Sequence, residues 1–145
     1  MDKSLVQLTA SEVVEGLKKG EISPLELISA AETRILETEP AINALPTLCL
    51  ERARAQAKAL MEKERHGSEN NRGWLAGLPV AIKDLTDVAG VRTTYGSRIF
   101  KDHIPKTSHP LVKRIENMGG IIIAKSNTPE FGAGGSTFNL SLIHI

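Results

Sequence analysis

Lys83 is the residue whose setting most suggests chemistry. The run before it, Leu78-Pro79-Val80-Ala81-Ile82, carries no charge and ends at Lys83-Asp84. Such a short apolar run predicts a strand buried on both faces, as in a parallel sheet. In open α/β sheets, sites gather outside the C-terminal ends of the strands. Period-two alternation puts Lys83 on one face with Ala81 and Leu85, and Asp84 on the other with Ile82. The adjacent carboxylate is therefore not obliged to pair with the lysine. A lysine desolvated at such a place loses its proton more easily and can serve as a base. The same spacing also suits a lysine that simply emerges into solvent, the commoner fate of a charged side chain.

The other candidates are weaker. The small-residue loop Gly132 to Thr137 suits an anion cradle, because glycines let backbone N–H groups approach a ligand. It lacks the Gly-Lys-Ser/Thr of a P-loop and the dinucleotide fingerprint. Ser136 has no Gly-x-Ser-x-Gly elbow around it. A tight turn beside a substrate pocket, or a plain turn, fits equally. His66, His103, His109 and His144 form no metal-ligand pattern, and His109 is expected to be exposed. Cys49, the one cysteine, reads as a small buried hydrophobe.

The elements that must position these residues are legible in part. Thr9-Ala10-Ser11-Glu12 is a capping box, followed by Val13, Val14 and Leu17 and stopped at Gly20. Ser23-Pro24-Leu25-Glu26 opens a second helix, with Leu27, Ile28, Ala31, Ile35 and Leu36 at helical spacing until Pro40. Leu50 to about Arg65 predicts a third helix, with Ala53, Ala57, Leu60 and Met61 inward. A polar loop spans 66–73. Val91-Arg92-Thr93-Thr94-Tyr95 is a weaker strand candidate. Ser108-His109-Pro110 opens another helix, capped by Ser108, with Leu111, Val112, Ile115 and Met118 on one side. Gly119-Gly120 ends it, and Ile121-Ile122-Ile123-Ala124 is a second buried strand. From Lys125 to Thr137 the pattern is a loop. The alternation of helix, Gly turn and apolar strand is that of an α/β sheet.

Three blocks in order make a more specific pattern. They are Leu75-Ala76-Gly77-Leu78-Pro79-Val80-Ala81-Ile82-Lys83-Asp84, then Gly90-Val91-Arg92-Thr93-Thr94-Tyr95-Gly96-Ser97, then Lys125-Ser126-Asn127-Thr128-Pro129-Glu130-Phe131-Gly132. Together they closely resemble the N-terminal part of the amidase signature family, from about Leu8 to Asn139. The resemblance implies an incomplete α/β fold, a mixed sheet flanked by helices and preceded by leading helices. It implies a Ser–cisSer–Lys hydrolase acting on carboxylic amides, with Lys83 as the lysine. The two serines belong to a later Gly/Ser-rich signature that this chain does not reach, so Gly134-Gly135-Ser136 does not supply them. Phe131, Gly132, Ala133 and Gly134 would lie near the substrate pocket. No metal or organic cofactor is implied. Within the family, Leu85-Thr86-Asp87-Val88 and Asn127-Thr128-Pro129-Glu130 look more like general amidases than the amidase subunit of glutamyl-tRNA amidotransferase.

Composition sets the remaining bounds. The 145 residues include 18 Lys+Arg and 17 Asp+Glu, with 41% hydrophobic and 3% aromatic residues. Such a balance excludes disorder over most of the length, and the lone cysteine excludes a disulfide scaffold. No basic stripe points to nucleic acid and no apolar run is long enough to span a bilayer. The partners expected are a small-molecule amide, the missing C-terminal part of the same domain, and a second copy in a homodimer once complete. A cytoplasmic setting is expected. Residues 1–139 are expected to be an incomplete amidase domain. Residues 140–145, Leu-Ser-Leu-Ile-His-Ile, read as a translated sequencing-library adapter; an apolar edge strand is the plainer reading. A non-catalytic binding module on the same scaffold, and a small nucleotide-binding domain resting on the Gly-rich loop, are the alternatives from other classes.

Overall fold

The computed structural model describes residues 4–64, 73–135 and 137. The 66–72 loop with His66, and Ser136, His144 and the 140–145 tail, lie outside the described residues. Both expected capping boxes form. Thr9 and Glu12 exchange bonds at the start of α1 (Ala10–Lys19), which Gly20 ends in the left-handed conformation. Ser23 and Glu26 do the same at α2 (Pro24–Ile42). Each box satisfies N–H groups that a helix start leaves without partners.

Helix α2 does not stop at Pro40 but runs on to Asn43, which takes the left-handed cap. Proline removes one helical N–H, leaving the Leu36 carbonyl without its usual donor. Leu36 is 66% exposed and Pro40 is exposed, so water can serve that carbonyl. This corrects Leu36 as an inward residue. Helix α3 (Leu50–Glu64) buries Ala53 and Ala57 completely. Helix α4 (Pro110–Asn117) buries Val112 and leaves Leu111 exposed. Its cap is His109, whose Nδ1 accepts from the Leu111 N–H at 3.1 Å. Ser108 turns instead to the Ala89 N–H.

The sheet is mixed, in the order β1-β3-β2. Strand β1 (Thr47–Leu48) runs antiparallel to β3 (Ile121–Ser126), and β2 (Pro79–Lys83) runs parallel to β3. Strand β3 is two residues longer than its apolar run, because Lys125 and Ser126 continue the ladder. On one side Ile121, Ile123 and Ala124 pack with Ile28, Ile35, Ala53 and Ala57 of α2 and α3. On the other, Ile122 and Ile82 pack with Val112 of α4 and with Val88 and Val91. A third cluster ties Val13 and Leu17 of α1 to Leu27, Trp74 and Ala76.

Two expectations for this region change. Strand β2 is not buried on both faces: Ile82 is buried, while Ala81 and Lys83 are exposed. Helices α2 and α3 cover that face at β3 but leave Ala81 and Lys83 open. The 91–95 run is not a strand. Its one bridge pairs Val91 with Val88, and Tyr95 turns to φ 54°. Backbone N–H groups that would have entered a ladder bind the Asp84 carboxylate and carbonyl instead.

Candidate active site at the end of β2

Alternation along β2 holds through Asp84. Lys83 is exposed beside Ala81, and Asp84 is buried beside Ile82. Lys83 has no ion-pair partner among the described residues. Its carbonyl accepts from the Thr86 N–H at 3.0 Å, closing the turn that follows the strand.

Asp84 is 2% exposed and turned into the protein. Its carboxylate accepts from the Thr94 N–H, at 3.1 and 3.2 Å to its two oxygens, and from the Thr94 hydroxyl at 2.5 Å. Its charge is met by Lys125, whose Nζ lies 3.1 Å from Oδ1. Lys125 is fully buried. Its ammonium also donates to the Thr86 carbonyl and the Thr93 hydroxyl, each at 2.8 Å. Three donors thus meet three acceptors, which a buried ammonium requires. Burial pulls the Lys125 ammonium below the usual lysine range, and the Asp84 carboxylate opposes that shift.

Periodicity alone puts Lys125 at the start of a loop and gives it no role. A signal was present. Asp84 and Lys125, of opposite charge, each lie just past an apolar run, and parallel neighbouring strands bring such ends together.

The Phe131–Gly134 block comes to the same end of the sheet. The Tyr95 N–H donates to the Asp84 carbonyl at 2.9 Å, and the Phe131 N–H donates to the Tyr95 carbonyl at 2.7 Å. Gly132 stands against Leu85, two residues past Lys83: a Cβ there would lie 2.8 Å from a Leu85 methyl. Tyr95 and Phe131 both hold φ near +50°, a conformation rare for large side chains. Their rings meet Phe100 at centroid distances of 5.1 and 6.1 Å, and His103 stacks on Tyr95 at 5.8 Å. Phe131 remains 56% exposed. Ala133 and Gly134 follow in the open. Of these aromatics only Phe131 was anticipated; Tyr95 lay in the supposed strand.

A hydrogen bond of 2.6 Å from the Tyr95 hydroxyl to Asp87 pushes the phenol up to about 12. Cys49 is partly buried, its thiol raised by desolvation and donating to the Ile122 carbonyl at 3.3 Å. It lies behind β3 and does not join Lys83. No group of His, Cys, Asp and Glu among the described residues could hold a metal ion. No helix among them is long and apolar enough to cross a membrane. A concavity lined by Gln56, Leu60, Trp74, Glu116 and Ile121 lies at the start of β3, the opposite end of the strands from Lys83.

An exposed lysine at a strand end, a carboxylate engaged on the opposite face and aromatic rings from two later blocks come together at one end of the sheet. The amidase family model matches residues 26–143, and the chain belongs to that family. The matched span reaches four residues into the stretch expected to be foreign. A glutamyl-tRNA(Gln) amidotransferase subunit from Natranaerobius thermophilus is 40% identical over 93% of this chain. Its counterpart from Anaeromyxobacter dehalogenans is 39% identical over 94%. In each case the chain spans 27% of the relative's length. Among solved structures, a bacterial aryl acylamidase of the amidase signature family superposes with a TM-score of 0.76 at 27% identity, over 86% of this chain and 26% of that one. A 6-aminohexanoate cyclic dimer hydrolase gives 0.80 at 26%, over 97% and 27%. Amidotransferase subunits and amide hydrolases are thus both represented.

Proposed function

We propose that the complete protein hydrolyses a carboxylic amide to an acid and ammonia or an amine, with Lys83 as the base. The observation that carries this reading is the placement of Lys83. It ends a parallel strand with an exposed amine, while the carboxylate beside it is engaged by Lys125 on the other face. In the mechanism that family membership implies, neutral Lys83 takes a proton relayed through a serine in a cis peptide. That activates a second serine, too weak a nucleophile alone at neutral pH. Attack on the amide carbon gives a tetrahedral oxyanion, best held by backbone N–H groups. The C–N bond breaks as the leaving nitrogen gains the proton, and water then cleaves the acyl-enzyme. Both serines belong to the remainder of the domain. Phe131, Gly132, Ala133 and Gly134 form one side of the substrate pocket. The reaction needs no metal or organic cofactor and runs in the cytoplasm, in a homodimer once the domain is complete.

The test is ammonia or amine release by the complete protein from a panel of aliphatic, aryl and glutamine amides. Release that disappears in Lys83→Ala, with the fold intact, supports the reading; release at an undiminished rate overturns it. The amidotransferase relatives favour a second reading, in which the protein belongs to a multi-subunit amidotransferase and supplies ammonia from glutamine. Glutamine hydrolysis that rises only with partner subunits and charged tRNA would select it. The tail at 140–145 is proposed to be foreign to the gene; genomic DNA that continues in frame through those codons would refute that.

A further inference from the structure

Two lysines lie at the C-terminal ends of neighbouring parallel strands, Lys83 last in β2 and Lys125 next to last in β3, and an irregularity in the ladder decides where each points. Val80 pairs with Ile122, but Ala81 pairs with Ala124, so Ile123 has no partner across the ladder. Had the first register continued, Lys83 would stand opposite Lys125 on one face of the sheet. The shift instead sets Ile82 against Lys125 and Lys83 against Ser126. A one-residue slip moves every later side chain to the other face, and bulges are a recognised means of re-aiming one. Lys125 thereby meets Asp84, and the two lysines are kept apart.

We infer that Lys125 is a positioning residue for Lys83: it neutralises Asp84 behind β2, so that the adjacent carboxylate neither holds Lys83 protonated nor turns toward it. The inference rests on Lys83 being the base, since a base must shed its proton near working pH. The pair is built for permanence, fully buried and with every ammonium donor used. The other charged or titratable groups around it are already engaged. Asp87 accepts from the Tyr95 hydroxyl, and the Cys49 thiol donates to Ile122. Arg92 is bound to Thr47 and Pro46 beside β1, and Glu116 of α4 to Arg52 and Gln56. Arg92 is the one cation among these groups, and its bonds beside β1 keep it from replacing Lys125 as the counter-charge.

The experiment uses the complete protein and reads two midpoints. One is the acid limb of kcat/KM for amide hydrolysis. The other is the pH dependence of Lys83 acetylation, followed by mass spectrometry. Lys125→Met leaves the Asp84 charge uncompensated and raises both midpoints by about one pH unit. Lys125→Arg keeps the charge and leaves them in place. The double variant Asp84→Asn with Lys125→Met is neutral at both positions and returns both midpoints to the wild-type value. Midpoints unmoved in Lys125→Met, or still moved in the double variant, would show a purely structural pair and overturn the inference. Should Lys125→Met not fold, midpoints shifted in Lys125→Arg would overturn it equally. If the wild-type protein hydrolyses no amide, the proposed function fails, and the acetylation midpoints still decide the role of Lys125.

Discussion

Lys83 and Lys125 lie at the C-terminal ends of adjacent parallel strands, the last and the last but one residue, yet they stand in opposite environments. One is exposed with no ion-pair partner among the described residues; the other is fully buried against Asp84, Thr86 and Thr93. Residue type does not separate them, and neither does the apolar run before each. Strand register does. The comparison teaches that, at a strand end, an exposed lysine and a buried, ion-paired lysine differ by which face the ladder assigns them.

The sharpest way to break this comparison is to exchange the consequences of the two substitutions. In the complete protein, Lys83→Ala should lower kcat/KM at least about a thousandfold, on the order of 4 kcal/mol of transition-state stabilisation. Its secondary structure and cooperative unfolding should be retained. Lys125→Met should do the reverse to stability, costing about 3–5 kcal/mol in denaturant unfolding, because Asp84 is left charged and buried. The double variant with Asp84→Asn should recover much of that loss.

Smaller effects test how the two sides are joined. Gly96 has φ +69°, and a Cβ there would lie 2.8 Å from the Thr128 and Pro129 carbonyls. Gly96→Ala should cost about 1–3 kcal/mol from the backbone conformation alone. It should also loosen the Phe131 block from Tyr95, visible as faster amide exchange at Phe131. Far from either lysine, Ser23→Ala should cost only about 1 kcal/mol, the usual worth of a helix cap. The Tyr95 phenol, followed through a ring label in the complete protein, should show a midpoint of about 12. The folded state holds that proton more tightly than the unfolded chain. The contribution is therefore complete below the ordinary tyrosine range and fades as pH rises through about 12. Asp87→Asn should bring the midpoint back toward about 10.

Local rules made much of this molecule legible in the sequence. The capping boxes at Thr9 and Ser23, the Gly20 stop, the inward Ala53 and Ala57, and the opposite facing of Lys83 and Asp84 all follow from short-range sterics and periodicity. What was not legible depended on partners distant in sequence. The 91–95 run has the composition of a strand, but Asp84 captures its N–H groups ten residues away. Lys125 reads as the start of a loop until the register shift turns it toward that same carboxylate. Pro40 reads as a helix end unless the Leu36 carbonyl is known to face water. The Phe131 block could be placed near Lys83 only by resemblance, because the contacts that bring it there run through Tyr95 and Leu85.

The most direct test of the assignment of Lys83 measures activity and stability together for Lys83→Ala in the complete protein. Amide hydrolysis reduced by about a thousandfold or more, with a cooperative unfolding transition retained, is the predicted result. Near-normal hydrolysis by that variant would contradict the assignment.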